Sequence, residues 1–496
     1  MKHKPELYFL AGLWISFIAV VLGGTILLPP SKKLAENSSA LLYKVAMNDE
    51  LRRPTNAPLS GKVISADLNA MELSLHEDGV LIQSFPILSR GKEGTAWETP
   101  TGKYVIQTKE PRHLSSIGGT WMPYSMQFYG NFFIHGWPTY PDGTDVPKGY
   151  SGGCIRLSTT DAKEVYKFAG VGTHVVVLGG VSSDLFATSS RYYLHVPQSV
   201  DAASTLPPVS ATSFIVADAV SGDVLWERDA TKKTNPGALV SLATALTAIE
   251  TVNQYKVVRM GELLLGKSVL RKHSSGAPDE IPVGTLIYPL LFDANDTAAK
   301  VFEREHGVTK FVAYMNEKAQ AIGMTDSSFG GGLSEDNSTT TARDLLSLLE
   351  YVHTHKHFLI DASLASSRAT VDADGKEQYQ WDNKNPWIEN ADGAYRGGVG
   401  KLAADGSGSG MLLFALPVSE FGDRTIAVVI LGSSDLLRDV TTLKNFVTNH
   451  FVYGVEREEE FTREGNEPTP SLFLRAKELL DLEKLLQQEV VYQREV

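Results

Sequence analysis

The N-terminal end of the chain carries the feature that most limits its folded arrangement. Residues 7–28 form an uncharged, largely apolar run of 22 residues, with Lys2 and Lys4 before it and Pro29 and Pro30 after it. About 20 apolar residues span a bilayer core, so we expect an uncleaved transmembrane helix at residues 7–28, with residues 1–30 as cytoplasmic tip and anchor. A cleaved signal peptide, which would have a shorter apolar run and an A-x-A-like exit, and a buried core helix are the alternatives.

The charges that flank this run indicate the orientation of the chain. Lys2 and Lys4 favour a cytoplasmic N-terminus, although Lys32 and Lys33 follow the run and weaken the bias. No later segment is long and apolar enough to span a membrane. We therefore expect everything after about Pro30 to lie on one side, outside the cytoplasm.

The size and charge of the chain limit the number of domains it can have and the kinds of partner it can bind. A chain of 496 residues exceeds one ordinary core and indicates two or three domains. Its 43% hydrophobic and 21% charged residues are typical of a globular protein. The net charge of −12 argues against nucleic acid as a partner, because a nucleic-acid binder normally carries a basic stripe. A single cysteine rules out an internal disulfide.

Short alternating runs follow a polar stalk at residues 31–60 and predict a mostly-β domain at residues 61–180. We expect strands at Lys62–Asp67 and at residues 72–76, 80–88, 99–106, 131–135 and 173–178, and a helix at residues 158–168.

The second half of the chain has a different pattern. Residues 181–211 are rich in Gly, Ser and Pro and predict a linker with one strand near residues 192–196. Residues 212–455 predict an α+β domain. We expect its helices at residues 238–251, 286–305, 310–322 and 341–353, and strands at residues 213–228, 410–416 and 425–432. Residues 456–496 predict a charged tail that ends in an amphipathic helix.

The segment Y-S-G-G-C-I-R-L, residues 150–157, surrounds the only cysteine. Gly152 and Gly153 allow a sharp turn that can direct N–H groups at one point, beside the Cys154 thiol. His135 ends a predicted strand and could accept the thiol proton, while Arg156 would share a strand face with Cys154. On these residues alone, an inert buried thiol remains as well supported as a nucleophile.

This region resembles the L,D-transpeptidase family, whose YkuD-like catalytic domain has H-G followed by S-x-G-C-[IV]-R-[LM]. The segments T-P-T-G-K-Y at residues 99–104 and W-M-P-Y-S-M at residues 121–126 match two further family elements in the same order. One position departs: Gly152 stands where many members have histidine.

The resemblance implies a role for each site residue. Cys154 would be the nucleophile and His135 its base, oriented by the Gly136 carbonyl. The N–H groups of Gly153 and Cys154 would form the oxyanion hole. Two further residues would support them, Arg156 bracing the site and Ser151 fixing its loop. The resemblance implies no metal and no cofactor.

Residues 212–455 resemble, more distantly, the D-alanyl-D-alanine carboxypeptidase and penicillin-binding family, with a β-lactamase/transpeptidase-like fold. The family's S-x-x-K appears here as residues 238–241, with Ala238 for the serine and Ser241 for the lysine. Its S-x-N appears as residues 293–295, and its K-T-G as residues 401–403, beginning with Lys401. A serine acyl-enzyme needs its hydroxyl and a base, so we expect this domain to be catalytically inactive.

These resemblances imply a cysteine acyltransferase of the bacterial inner membrane that acts on peptidoglycan stem peptides. An amine acceptor would give 3→3 cross-links, and water would give L,D-carboxypeptidase trimming. The expected partners are donor and acceptor stem peptides and the cytoplasmic membrane, with cell-wall synthesis proteins as candidates. A non-catalytic peptidoglycan-binding scaffold is the alternative. A protein-cleaving cysteine protease is disfavoured because no Asn/Asp partner motif accompanies the Cys–His pair.

Overall fold

The computed structural model describes residues 60–179, 190–194, 208–259, 271–272, 280–333, 337–371, 377–389, 393–416 and 424–455. The predicted anchor at residues 7–28, nearly all of the stalk and the tail at residues 456–496 lie outside these ranges. Within them, no helix has the length and apolar content needed to cross a membrane.

Alternating burial along short strands builds the first domain. Its strands are β1 (Lys62–Asp67), β2 (Glu72–Glu77), β3 (Val80–Pro86), β4 (Gly102–Val105), β5 (Thr108–Leu114), β6 (Trp121–Tyr129), β7 (Phe132–Gly136), β8 (Ile155–Leu157) and β9 (His174–Leu178), and its helix is α1 (Thr159–Phe168). They form two sheets, with strand orders β3-β2-β1-β9-β4 and β5-β6-β7-β8. The domain is mostly β, as the sequence predicted.

Helix α1 packs on the second sheet and begins where the sequence predicted. The Ser158 side chain caps it by accepting a hydrogen bond from Asp161 N, and Asp161 adds negative charge to the first turn. Ala162 and Val165 are its buried residues. Because α1 follows β8 directly, its capped start fixes the exit of the strand that carries the cysteine loop.

The second domain is α+β. Its strands are β10 (Ser190–Leu194), β11 (Ser213–Asp218), β12 (Val224–Arg228), β13 (Val257–Arg259), β14 (Arg271–Lys272), β15 (Glu280–Pro282), β16 (Ser367–Val371), β17 (Glu377–Asp382), β18 (Tyr395–Leu402), β19 (Gly408–Leu416), β20 (Arg424–Ser433) and β21 (Phe451–Val455). Its helices are α2 (Val240–Thr251), α3 (Ile287–Asp293), α4 (Asp296–His306), α5 (Val308–Ala321), α6 (Ala342–His355), α7 (His357–Leu364), α8 (Pro386–Glu389) and α9 (Leu436–His450).

A five-stranded antiparallel sheet, β12-β11-β20-β19-β18, is covered on both faces. Ile215 packs into the core that holds α2, while Phe214 packs into the core that holds α9. Both faces of the strands are therefore apolar, which explains their nearly continuous hydrophobic runs. The strand predicted in the linker is β10, which pairs with β21.

The helix predicted at residues 286–305 is wrong as one element. Ala294 has a φ of 48° and a ψ of 55°, which ends α3 in the left-handed region. Asn295 then caps α4 by accepting a hydrogen bond from Ala298 N. The apolar period continues across this break, so the period alone did not reveal it.

The two domains share packing. Tyr314 and Ala321, both on α5, belong to the hydrophobic core of the first domain. A Cβ added at Gly102 would lie 2.7 Å from Ala321 O, so β4 begins in direct contact with the end of α5.

Candidate functional site

Two neighbouring parallel strands hold the predicted nucleophile and base. In the register of β7 and β8, His135 pairs with Arg156, and Cys154 directly precedes β8. Side chains alternate along a strand, and paired residues share a face. Cys154, His135 and Arg156 therefore occupy one face of the sheet, as the sequence predicted.

The thiol of Cys154 is protonated at rest. Its Sγ lies 3.7 Å from Asn131 O, to which it donates. Burial raises the pKa of the thiol to about 11, although a backbone hydrogen bond from Phe133 and the charge of Arg156 both act to lower it. The residue is half-buried.

The imidazole of His135 is neutral and fixed in one tautomer. Nδ1 lies 2.6 Å from Gly136 O. A carbonyl oxygen only accepts, so Nδ1 carries the proton and Nε2 is the free acceptor. Burial lowers the pKa of His135 to about 3, against the opposing effect of the Gly136 hydrogen bond, and Arg156 and His113 lower it further. The ring is thus oriented as a base.

Hydrogen bonds within the loop before β8 fix its shape. Ser151 Oγ donates to Cys154 O at 2.6 Å and accepts from Gly153 N at 3.0 Å. This differs from the expected oxyanion hole, because the Gly153 N–H is already occupied by Ser151. The Cys154 N–H makes no hydrogen bond to any part of the chain that the structure describes, so it alone of the two expected oxyanion donors is available.

Glycine is required at position 153. Its φ is +105°, and an added Cβ would lie 2.2 Å from Phe132 Cε1. At Gly152 an added Cβ would meet only Trp97 Cε3, at 3.9 Å. Position 152, where the family pattern often has histidine, therefore has room for a side chain, and the loop does not require a glycine there.

Arg156 contributes a partly buried cation. Its guanidinium lies 5.6 Å from the centre of the Trp137 ring. Burial lowers its pKa, and its Nε is a buried donor without a hydrogen-bond partner among the described residues. Such a donor beside the thiol can bind a carbonyl or carboxylate of a substrate.

Sequence reasoning missed two residues that hold the site together. Thr99 is fully buried, accepts from Gly91 N at 2.9 Å and donates to Gly153 O at 2.8 Å. Asn131 supplies the carbonyl that holds the thiol proton. The T-P-T-G motif was the only signal for Thr99, and no local pattern pointed to Asn131.

Three positions of the second domain correspond to the catalytic positions of the carboxypeptidase family that it resembles. Ser241 is buried within α2, and Ala238 precedes that helix. The Lys401 ammonium contacts the Asp293 carboxylate. Asp293 also lines a cavity of about 200 Å³, together with Pro289, Phe292, Asn295, Gln380, Trp381, Asp382 and Lys384. No group of three metal-ligating side chains occurs among the described residues.

Comparisons with known proteins match the two parts of the chain to two different families. Residues 61–177 match the L,D-transpeptidase catalytic domain, and residues 200–404 match the D-alanyl-D-alanine carboxypeptidase family. "Putative L,D-transpeptidase YkuD" of Bacillus licheniformis is 32% identical over 127 residues, which cover 26% of this chain and 70% of that protein.

The second half has its own similar proteins. D-alanyl-D-alanine carboxypeptidase DacC of Escherichia coli is 26% identical over 180 residues, covering 32% of this chain and 44% of DacC. A solved D-alanyl-D-alanine carboxypeptidase of Mycobacterium tuberculosis is 19% identical, with a TM-score of 0.41, and the match covers 51% of this chain and 93% of that one.

Proposed function

The chain belongs to the L,D-transpeptidase family, joined to a D-alanyl-D-alanine carboxypeptidase domain, and on this premise we propose that it acts on peptidoglycan stem peptides through a Cys154 acyl-enzyme. The observation that carries the proposal is the tautomer of His135. With Nδ1 held by Gly136 O, Nε2 is left as the acceptor that can serve as a base, on the strand beside Cys154.

In the first half-reaction, the thiol proton leaves Asn131 O and passes to His135 Nε2 as Sγ attacks the carbonyl between the L-centre and the terminal D-residue. The Cys154 N–H donates to the tetrahedral oxyanion. His135 then returns the proton to the departing amine. The D-amino acid leaves, and a thioester to Cys154 remains.

In the second half-reaction, His135 Nε2 accepts a proton from the amine of another stem peptide as that amine attacks the thioester. The new amide forms, the C–S bond breaks, and the thiolate takes the proton back from His135. Water in place of the amine gives a carboxylate and makes the reaction L,D-carboxypeptidase trimming.

Arg156 and Ser151 have supporting parts in this proposal. The unpartnered Nε of Arg156 binds an oxygen of the donor stem near the thiol. Ser151 keeps the Cys154 N–H directed at the site by bonding both Gly153 N and Cys154 O.

We assign the chemistry to the first domain alone. Ala238 has no hydroxyl, Ser241 has no amine, and the Lys401 ammonium is neutralised by Asp293. The second domain is in this proposal catalytically inactive. The chain is anchored in the cytoplasmic membrane by residues 7–28, with the bulk outside, where stem peptides are found.

Incubating the protein with disaccharide-tetrapeptide, followed by mass spectrometry, tests the proposal. We expect cross-linked dimer or trimmed tripeptide from the wild type and neither from Cys154→Ala. Absence of both products from the folded wild type would favour the non-catalytic scaffold. A β-lactam adduct on a serine of the second domain, rather than a carbapenem adduct on Cys154, would overturn the assignment of the chemistry.

A further inference from the structure

A buried polar cluster joins the two domains directly behind the cysteine loop. We call it the interdomain cluster, and its members are Glu98, Thr101 and Tyr104 of the first domain and Glu250, Lys318, Tyr351, His355 and Lys356 of the second. Each of these residues is at least nine-tenths buried.

The lysines of the cluster pair with Glu250 inside the second domain and also donate hydrogen bonds to the first domain. Lys318 Nζ lies 3.0 Å from Glu250 Oε2 and donates to Tyr104 OH at 3.0 Å. Lys356 Nζ donates to Glu98 O at 2.7 Å. Buried charges are stable only with their partners in place, so these contacts hold the domains in one arrangement.

One arm of the cluster reaches the cysteine loop through its neighbour Thr99. His355 Nδ1 lies 2.9 Å from Glu98 Oε1, and His355 Nε2 lies 3.1 Å from Thr101 Oγ1. Thr99, between these two residues, donates to Gly153 O at 2.8 Å. His355 of the second domain therefore contacts Glu98, and the next residue, Thr99, donates a hydrogen bond directly to the cysteine loop.

A second contact reaches the thiol from the end of α2. Asn131 Nδ2 donates to Thr251 O at 2.6 Å, and the backbone oxygen of Asn131 accepts the hydrogen bond from the Cys154 thiol. The approach is close, because a Cβ added at Gly130 would lie 2.8 Å from Thr251 Cγ2. The second domain thus fixes the residue that holds the thiol proton at rest.

We propose that the second domain is a positioning element of the cysteine site, acting through Thr251 on Asn131 and through His355 on the segment that carries Glu98 and Thr101. The inference rests on the proposed function, since it takes Cys154 as the nucleophile. In this arrangement the inactive domain sets the enclosure and orientation of the thiol, and Asn131 and His355 are positioning residues.

The test compares Asn131→Ala and Thr101→Val with the wild-type full chain. Asn131→Ala removes the link to Thr251, and Thr101→Val removes the hydroxyl that contacts His355 while keeping the shape of the side chain. Asn383→Ala is the matched control, because Asn383 Nδ2 donates to Ser363 O and Ala365 O inside the second domain, away from the cluster.

Two readouts separate positioning from general stability. The first is the rate of Cys154 alkylation by iodoacetamide against pH, which needs no stem peptide. Loosened packing admits water to the thiol, so we expect its titration to move at least half a pH unit lower and alkylation at pH 8 to rise about threefold. The second is turnover of disaccharide-tetrapeptide, which we expect to fall at least tenfold in kcat.

Asn383→Ala should leave the alkylation profile unchanged even where its melting temperature falls. The inference would be overturned if Asn131→Ala and Thr101→Val both fold and both show the same alkylation profile and the same turnover as the wild type. If Asn131→Ala does not fold, Thr101→Val decides. Failure of the proposed function would instead appear as absence of products from the wild type, whatever the alkylation profiles show.

Discussion

At the scale of single residues, the resting site holds a neutral thiol beside a neutral imidazole. Burial acts in opposite directions on the two groups, raising the pKa of Cys154 to about 11 and lowering that of His135 to about 3. A thiolate–imidazolium pair is therefore disfavoured until a substrate arrives. In the proposed reaction, proton transfer and attack on the carbonyl then occur together, and the thiol of the free protein is protected from side reactions.

This protonation state predicts slow alkylation of the free enzyme. A rise of two pKa units leaves about a hundredfold less thiolate at pH 7 than an ordinary cysteine has. Iodoacetamide should thus modify Cys154 about a hundredfold more slowly than a free cysteine, and the rate should rise about tenfold per pH unit up to about pH 11. Peptide mass spectrometry over a pH series measures this, with Cys154→Ala as the blank. A plateau beginning near pH 7 would instead indicate a preformed ion pair.

Adjacent glycines in the cysteine loop should tolerate substitution very differently. Gly153→Ala places a Cβ on the Phe132 ring at a φ of +105°, so we expect a loss of about 2–4 kcal/mol in the free energy of unfolding. Gly152→Ala enters open space and should change stability by less than about 0.5 kcal/mol. Urea denaturation of both variants measures the difference. Equal stability of the two would contradict the loop geometry described above.

At the scale of secondary structure, the strands that carry the chemistry could be predicted in part. The apolar run at residues 131–135 predicted β7 and placed His135 at its end, whereas β7 extends one residue further, to Gly136. β8 has three residues, too few to show a period. Its parallel pairing with β7 joins residues about 20 positions apart, which no local pattern encodes. The occupied Gly153 N–H was likewise hidden, since it depends on the Ser151 rotamer.

The break between α3 and α4 supplies a prediction about helix ends. Ala294 pays a steric cost in the left-handed region that glycine does not, so Ala294→Gly should raise the free energy of unfolding by about 0.5–1 kcal/mol. Ala313, which is exposed within α5, is the control position. There the same substitution, Ala313→Gly, should lower the free energy of unfolding by about 1 kcal/mol. Denaturant unfolding checks both signs. Destabilisation by Ala294→Gly would show that the two helices do not part there.

At the scale of the whole molecule, the two domains should unfold together. Lys318 is buried beside Glu250, and Lys318→Met leaves that carboxylate with one cation, Lys356 at 3.7 Å, and with the hydroxyl of Tyr351. We expect a loss of about 3–5 kcal/mol in the free energy of unfolding. Lys300→Met, at an exposed pair with Asp296, should cost less than about 0.5 kcal/mol.

Calorimetry and tryptophan fluorescence, recorded on the same samples, measure the effect on each domain. The two domains should lose structure in one shared transition in the wild type and in both variants. Separate transitions for the first and second domains, with only the second affected by Lys318→Met, would contradict this prediction.

The arrangement of the domains could not be predicted from the chain. The Gly-, Ser- and Pro-rich stretch at residues 181–211 indicated a linker between two units, and it carried no information on how the two units pack. The interface instead depends on residues such as Tyr314 and Ala321, which lie on a helix whose pattern is that of an ordinary amphipathic element. Their contacts join positions some 200 residues apart, and such separations leave no periodic trace in a sequence.

The placement of Tyr314 and Ala321 in the first domain's core has a consequence for how the chain tolerates change over generations. Changes at residues 238–241 leave the core of the first domain intact, whereas deletion of α5 would leave a hole in that core. Amino-acid substitutions should therefore be tolerated better around the cavity at Asp293 than on the side of α5 that contacts β4. In the proposed function, the second domain supports the first domain through its packing and not through a reaction of its own.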